Sequence, residues 1–250
     1  MDLKALQATL GQLARIQNET PIIFSDGACS GNPGPGAWGA ILVFRGRVKE
    51  MGLRESGTTN NRMEMMGALA SLRSARLLQP AVARPKVHVL TDSTYLIKGA
   101  SEWLGSWQRR SWKTADGSAV KNQDLWMEFS ETLKEVAVQW HYVPGHSGVA
   151  GNERCDEIAV GLTQQRPVDL YDGDLASYGP QLFELDQDQT YPVYLAAVGR
   201  EVMAFAKWPA CEAAVKGRPG ARFKKVKSKA EWQECLRSWG FPSDVKVKSQ

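Results

Sequence analysis

At 250 residues, 43% hydrophobic and 23% charged, the chain carries enough apolar material for one large domain or two small ones, which excludes a disordered protein. Its net charge of +4 is uneven, with a balance of +2 over residues 1–165, −5 over 166–190 and +7 over 191–250. The four cysteines, Cys29, Cys155, Cys211 and Cys235, have neither metal-type pairing nor the density of a disulfide scaffold, so a reducing, cytoplasmic setting is expected.

Within the first 18 residues Leu3, Leu6, Leu10, Leu13 and Ile16 recur at helical intervals, and residues 1–20 are expected as a helical extension packed on the body or on a partner. That stretch lacks the unbroken apolar run of a signal peptide, and no later run is long enough to span a bilayer, so no membrane partner is expected. Strands are expected at Ile22–Ser25, Trp38–Phe44 and Val48–Glu55, the last two joined by a hairpin at Arg45-Gly46-Arg47. A helix should run from about Asn61 to Leu78, stopped by Pro80. Lys86-Val87-His88-Val89-Leu90-Thr91 reads as a buried strand leading into Asp92. A last helix around Asp156 should turn Cys155, Ile158, Ala159 and Leu162 to the core.

Asp26 closes the first strand before a dozen residues crowded with Gly and Pro, and an Asp-Gly pair ordinarily makes a turn. Asp92 repeats the pattern at the end of a second buried strand, and strand ends of α/β sheets are where ligands gather. Glu64 could merely close a capping box with Asn61, and Asp156 could merely favour the positive end of its helix. Four such acids in one domain weaken those local readings.

The segments SDGACSGNPGPGAWGAIL, TTNNRMEMMGAL, LTDSTYLIKG, the Trp-rich stretch from Trp103, VKNQDLW and VPGHSGVAGNERCDEIA follow one another in order through residues 21–165. This part of the chain resembles type 1 ribonuclease H, the ribonuclease HI family. The resemblance implies an α/β fold with a mixed five-stranded sheet flanked by helices. It also implies hydrolysis of the RNA strand of RNA/DNA hybrids by two-metal-ion catalysis, leaving 5′-phosphate and 3′-hydroxyl ends. The family's four metal-binding carboxylates fall on Asp26, Glu64, Asp92 and Asp156, its mobile histidine on His146, and a supporting acid on Glu153. Two Mg²⁺ are implied as cofactors, with Mn²⁺ as an alternative, because such ions take hard oxygen ligands and leave room for phosphate. Asp26 would bridge both ions, Asp156 would hold the one beside the attacking water, and Glu64 and Asp92 the one beside the leaving group. His146 would transfer protons and assist product release.

RNA-strand contacts are implied for Cys29, Asn32, Asn60, Ser93 and Thr94, and DNA-strand contacts for Asn61 and Thr59. Thr94 replaces a glutamine common in bacterial members and is the weakest of these matches. Trp103, Trp107 and Trp112 interleave with Arg109, Arg110, Lys113 and Lys121. Such spacing ordinarily means core packing and a solvated face; the family's basic protrusion implies instead a clasp on the DNA strand.

Residues 166–190 are acidic, broken by Pro and Gly and without regular period, and are expected as a linker. Residues 191–250 resemble a small hybrid-binding module usual at the N-terminus of eukaryotic type 1 enzymes. The match is carried by Trp208-Pro-Ala-Cys211-Glu-Ala-Ala-Val215 and by Gly217-Arg-Pro-Gly-Ala-Arg222-Phe223-Lys224-Lys225. Here the module is C-terminal, and the glycine-rich turn after its first strand reads GREVMAF. The implied partner is an RNA/DNA hybrid bound by a monomer, with Trp208, Arg222, Phe223, Lys224 and Lys225 in contact. Two other readings stay open from the sequence: a non-catalytic hybrid-binding platform, and a transposase- or integrase-type nuclease of the same fold.

Overall fold

A computed structural model describes residues 3–145, 147–185, 193–226, 229–242, 245 and 247–249. The chain divides into two compact units, one built on Met1–Gly145 and Ala150–Glu184, the other chiefly on Leu185–Gln250.

The first unit opens with α1 (Leu3–Ile16), whose Leu6, Leu10 and Leu13 are fully buried. The apolar stripe therefore packs on this chain's own body. Next come β1 (Ile22–Cys29), β2 (Gly34–Phe44) and β3 (Arg47–Thr58). Arg45 and Gly46, both at positive φ, make the two-residue turn between β2 and β3, one residue tighter than the sequence suggests. α2 (Asn60–Leu77), β4 (Lys86–Thr91), α3 (Thr94–Lys98), a π-helical turn at Gly99–Trp103, α4 (Leu104–Arg109), α5 (Gln123–Glu135), β5 (Ala137–Tyr142) and α6 (Ala150–Thr163) follow. The sheet order is β5-β4-β1-β2-β3-β6, where β6 is the short strand Asp172–Asp174. β4 runs parallel to both β1 and β5, and the remaining pairs are antiparallel. The expected five strands are present, and β6 is an addition to them.

Strand alternation decides which helix each residue meets. Ile23, Val87 and Val89 join the core under α2 and α5 with Met65, Leu69, Leu72, Trp126 and Phe129. Phe24 points the other way and lies against Gly151 of α6. Each fully buried Leu, Ile or Phe contributes about 1.5–3 kcal/mol, so this two-sided core holds the sheet rigid.

Two expectations are corrected. β1 does not stop at Ser25: β2 pairs with it throughout, from Ile22 against Val43 to Cys29 against Gly36. The Gly- and Ala-rich residues after Asp26 read as a turn but continue the strand, because a long antiparallel partner satisfies their backbone. The acidic stretch expected as a linker over 166–190 is structured in its first part. There Asp172–Asp174 pairs with Arg47–Lys49 of β3, and Arg47 reaches Asp172 and Asp174 at 3.2 and 3.3 Å. Positive charge on the β3 edge gives these acids a place on the sheet. Residues 186–190 lie outside the described residues.

In the second unit β7 (Val193–Val198), β8 (Glu201–Phe205), α7 (Trp208–Val215), β9 (Arg222–Val226), α8 (Lys229–Ser238) and β10 (Val247–Ser249) form a four-stranded sheet in the order β10-β8-β7-β9. One face packs Leu195, Ala197, Val202 and Val226 with Trp232, Cys235 and Leu236 of α8. The other packs Ala196, Met203 and Phe205 with Cys211 of α7. This is the small α/β module expected for the tail.

Candidate active site

The parallel pairing of β1 with β4 reaches only as far as Phe24 against Leu90. Past that point the two strands leave a crevice that side chains from both faces of the sheet can enter. Asp26 sits in it, midway along β1 yet beyond the end of its parallel neighbour, and Asp92 follows the last residue of β4. Glu64 comes from the second turn of α2. A Cβ added to Gly27 would stand 2.6 Å from the Glu64 amide nitrogen, so only glycine lets the helix approach β1 so closely. On the opposite face a Cβ on Gly39 would meet the Cys155 carbonyl at 2.3 Å, so α6 presses directly on β2 next to Asp156.

Asp26, Glu64 and Asp92 each bring one carboxylate oxygen within 4.8 Å of the others. Asp156 stands outside that group but near enough for its charge to act on Asp26. Burial, then the charges of Asp92, Asp156 and Glu64, push the Asp26 carboxyl well above its ordinary value, against the Gly27 amide bond at 2.7 Å that pulls it down. Glu64 is pushed up to about 7 by burial and by Asp92, although Ser93 and Asn60 hold its charged form. The Ser93 hydroxyl donates to Glu64 Oε2 and Asn60 Nδ2 donates to Oε1 at 2.7 Å. Converging acids that repel one another in a buried crevice are stabilised by a cation, and an all-oxygen donor set suits a hard divalent ion. The residues therefore fit the ions expected from the sequence.

The capping-box reading of Glu64 does not hold. Thr59 is the N-cap of α2, its hydroxyl accepting from the Arg62 amide at 3.4 Å, which leaves Glu64 further along the helix and free to face the crevice. Ser93 likewise caps α3, accepting from the Leu96 amide at 3.2 Å. Asn60 and Ser93, expected as RNA contacts, thus both orient Glu64. Cys29 is half-buried, its Sγ 3.5 Å from the Thr58 carbonyl, while Asn32, Asn61 and Thr94 are exposed. His146 lies outside the described residues; Gly145 before it sits against Asp92, where a Cβ would come within 2.6 Å of Oδ2.

The tryptophans of the basic stretch form an aromatic chain, Trp103 to Trp107 at 5.6 Å and Trp107 to Trp126 at 5.4 Å, and Trp107 and Trp112 are half-buried against the core. Arg109, Arg110, Lys113 and Lys121 are exposed beside them. In the second unit Trp208 packs 5.5 Å from Tyr194 and 5.1 Å from Phe223, which is 53% exposed. β9 alternates, so Lys225 lies over the Tyr194 ring at 5.6 Å and Arg222 lies over Trp239 at 5.6 Å. The run Arg222-Phe223-Lys224-Lys225, contiguous in sequence, thereby serves two faces.

A mixed sheet with acids gathered beyond its central parallel pair is the framework of one nuclease family. The RNase H family matches residues 18–163, more than half of the chain, and the chain belongs to that family as an enzyme of the ribonuclease H class. A second family, described as the Ribonuclease H1 N-terminal domain, matches residues 192–236. The Ribonuclease H of Thermosynechococcus vestitus is 48% identical over 149 residues, 59% of this chain and 91% of that one. That of Paramagnetospirillum magneticum is 53% identical over 141 residues, 56% and 88% of the two chains. Among solved structures, LC9-RNase H1, a type 1 RNase H with the type 2 active-site motif, superposes with a TM-score of 0.54 at 26% identity. It covers 65% of this chain and 92% of its own.

Glu50 and Arg154 are the residues that sequence reading missed. Glu50 shares a strand face with buried Val48, so an acid in an apolar register was the available signal. Among the described residues, no helix is long and apolar enough to cross a membrane.

Proposed function

We propose that the chain hydrolyses the RNA strand of RNA/DNA hybrids at the Asp26–Glu64–Asp92–Asp156 crevice with two divalent ions, Mg²⁺ in the first place, leaving 5′-phosphate and 3′-hydroxyl ends. The convergence of the acids in a ribonuclease H fold carries the reading. Bound Mg²⁺ supplies a water acidic enough to attack near neutral pH and charge stabilisation for the leaving 3′ oxygen. Asp26 at the centre would hold both ions, Asp156 the one on the attacking side, Glu64 and Asp92 the other. Ser93 and Asn60 fix both oxygens of Glu64, so that its geometry is set before substrate arrives. His146 moves the proton through its imidazole. Cys29, Asn32, Thr94 and the α2 start line the hybrid's path, where polar groups can recognise 2′-hydroxyls. Arg109, Arg110 and Lys113 neutralise DNA-strand phosphates beside the half-buried Trp103 and Trp107.

The second unit is a tether for the same hybrid. Its match to a Ribonuclease H1 domain and its exposed Phe223 between Trp208 and basic residues support this. Purified chain is to be incubated with labelled hybrid, double-stranded DNA and double-stranded RNA, each with Mg²⁺ or EDTA. Cutting of the hybrid's RNA strand alone, and only with Mg²⁺, is expected. Binding without cutting, or cutting of the DNA duplex, would replace this reading with a platform or a transposase-like nuclease.

A further inference from the structure

Glu50 is an acid whose side chain is only 1% exposed. Its two oxygens accept four hydrogen bonds: from Arg154 Nε at 2.7 Å and Nη2 at 3.0 Å, from the Tyr171 amide at 3.0 Å, and from the Tyr178 hydroxyl. Two donors belong to α6 and two to the segment that follows it. A carboxylate in such a place costs several kcal/mol unless every lone pair is used, and here they are. Burial opposes the charge, but Arg154, Tyr178 and Tyr171 outweigh it and hold the carboxyl below its ordinary value.

The same segment grips α6 elsewhere. Arg154 Nη2 donates to the Asp169 carbonyl at 3.1 Å. The carbonyls of Glu184 and Leu182 accept from the first-turn amides of Ala150 and Gly151 at 3.2 and 3.3 Å, and Phe183 lies 5.7 Å from Phe24. Residues 169–184 lie beyond the 18–163 region that matches the RNase H family.

The remaining contact of α6 with the sheet is largely apolar, through Cys155, Ile158 and Ala159. Apolar burial is non-directional and resists separation better than it resists rotation. The guanidinium fork is directional. Residues two apart on a helix point to nearly opposite sides. With Arg154 anchored to Glu50 on β3, Asp156 is turned back toward Asp26 on β1.

We propose that Glu50 and Arg154 are positioning residues that set the rotation of α6 and so the placement of Asp156, with residues 169–184 as the strap that completes them. The inference rests on the metal-dependent hydrolysis proposed above. The test uses the full chain with Glu50→Gln, which keeps shape and removes charge, and Tyr178→Phe, which removes one bond. Lys134→Ala, which breaks only an exposed pair with Glu131 on α5, is the control. Calorimetric titration of metal-free protein with Mn²⁺ is paired with kcat and KM on a hybrid, all well below each variant's melting temperature. Glu50→Gln should weaken Mn²⁺ binding and lower kcat by about 10-fold each, the scale of losses from residues that orient metal ligands, with KM within about two-fold. Tyr178→Phe should shift both in the same direction by less, and Lys134→Ala should shift neither. If Glu50→Gln does not fold, Tyr178→Phe decides. Variants that melt lower yet keep wild-type Mn²⁺ affinity and kcat would overturn the proposal and leave the strap a purely structural device. Wild-type chain that binds Mn²⁺ but leaves hybrids uncut would overturn the proposed function instead, with the Mn²⁺ titration still deciding the role of Glu50.

Discussion

The Glu64 carboxyl, ordinarily near 4.5, stands at about 7 in the folded chain, and Asp26 is raised as well. Folding therefore favours their protonated forms; the part of the stability that Glu64 gives is complete below pH 4.5 and lost as pH rises through about 7, and Asp26 acts in the same direction. Above that pH the metal-free protein carries acids that repel one another in a crevice. Asp26→Asn removes the central charge while keeping the shape. In EDTA at pH 8 it should be more stable than wild type, with the difference shrinking toward pH 5. The same variant, and Asp92→Asn, should lose Mg²⁺-dependent cutting while still binding hybrid. Thermal melts across pH with a cleavage assay check both halves, and equal melting of variant and wild type at pH 8 would contradict the electrostatic account. His146→Ala should be milder, slowing turnover by about 100-fold without erasing it, on the scale of general acid–base catalysis, with single-turnover kinetics as the measure.

Elements reach the site only as far as their backbones allow. Gly39 is where α6 meets β2, with the Cys155 carbonyl and the Ile158 Cβ at 2.3 and 2.8 Å from an added Cβ. Gly39→Ala should therefore push the helix outward, costing about 1–3 kcal/mol in denaturant unfolding and lowering turnover because Asp156 moves with it. Unchanged unfolding and turnover would mean that α6 accommodates the methyl without shifting. The same geometry explains what the sequence could disclose. The acids were legible because Asp26 and Asp92 each follow a short, largely apolar strand, and because Glu64 and Asp156 sit early in recognisable helices. The course of β1 from Gly27 to Cys29 was not, since glycine-rich residues carry a turn signal that a distant partner strand overrides. β6 was hidden for a related reason: three residues, Asp-Gly-Asp, have no strand period, and only Arg47 and the free edge of β3 give them a place. Glu50 was visible as a parity violation beside Val48, but its partners lie 104 and 128 residues away in sequence.

For the molecule as a whole, the carboxylate chemistry lies in one unit and much of the positive charge in the other, +7 over residues 191–250 against +2 over 1–165. Since the second unit has its own two-faced core, its removal should not unfold the first. Deleting residues 191–250 is expected to leave cleavage of short hybrids possible while weakening binding and reducing the number of cuts per encounter on long ones, because a tethered second site raises the local concentration of substrate. The two faces of β9 make the contributions separable. Lys225→Ala removes a cation beside the Trp208–Phe223–Tyr194 aromatics and should weaken binding while flattening the dependence of log K on log salt by up to about 0.9, the slope of one phosphate contact on duplex DNA. Trp208→Ala should weaken binding with the slope nearly unchanged, because stacking releases no counterions. Lys224→Ala tests the opposite face, where Arg222 lies over Trp239 and Phe241. A salt slope lowered by Lys225→Ala but not by Lys224→Ala would place the hybrid on the α7 side of the module. Affinity, salt slope and cuts per encounter all unchanged by the deletion would show that the tail does not hold hybrid at all, and that its charge serves solubility or a protein partner.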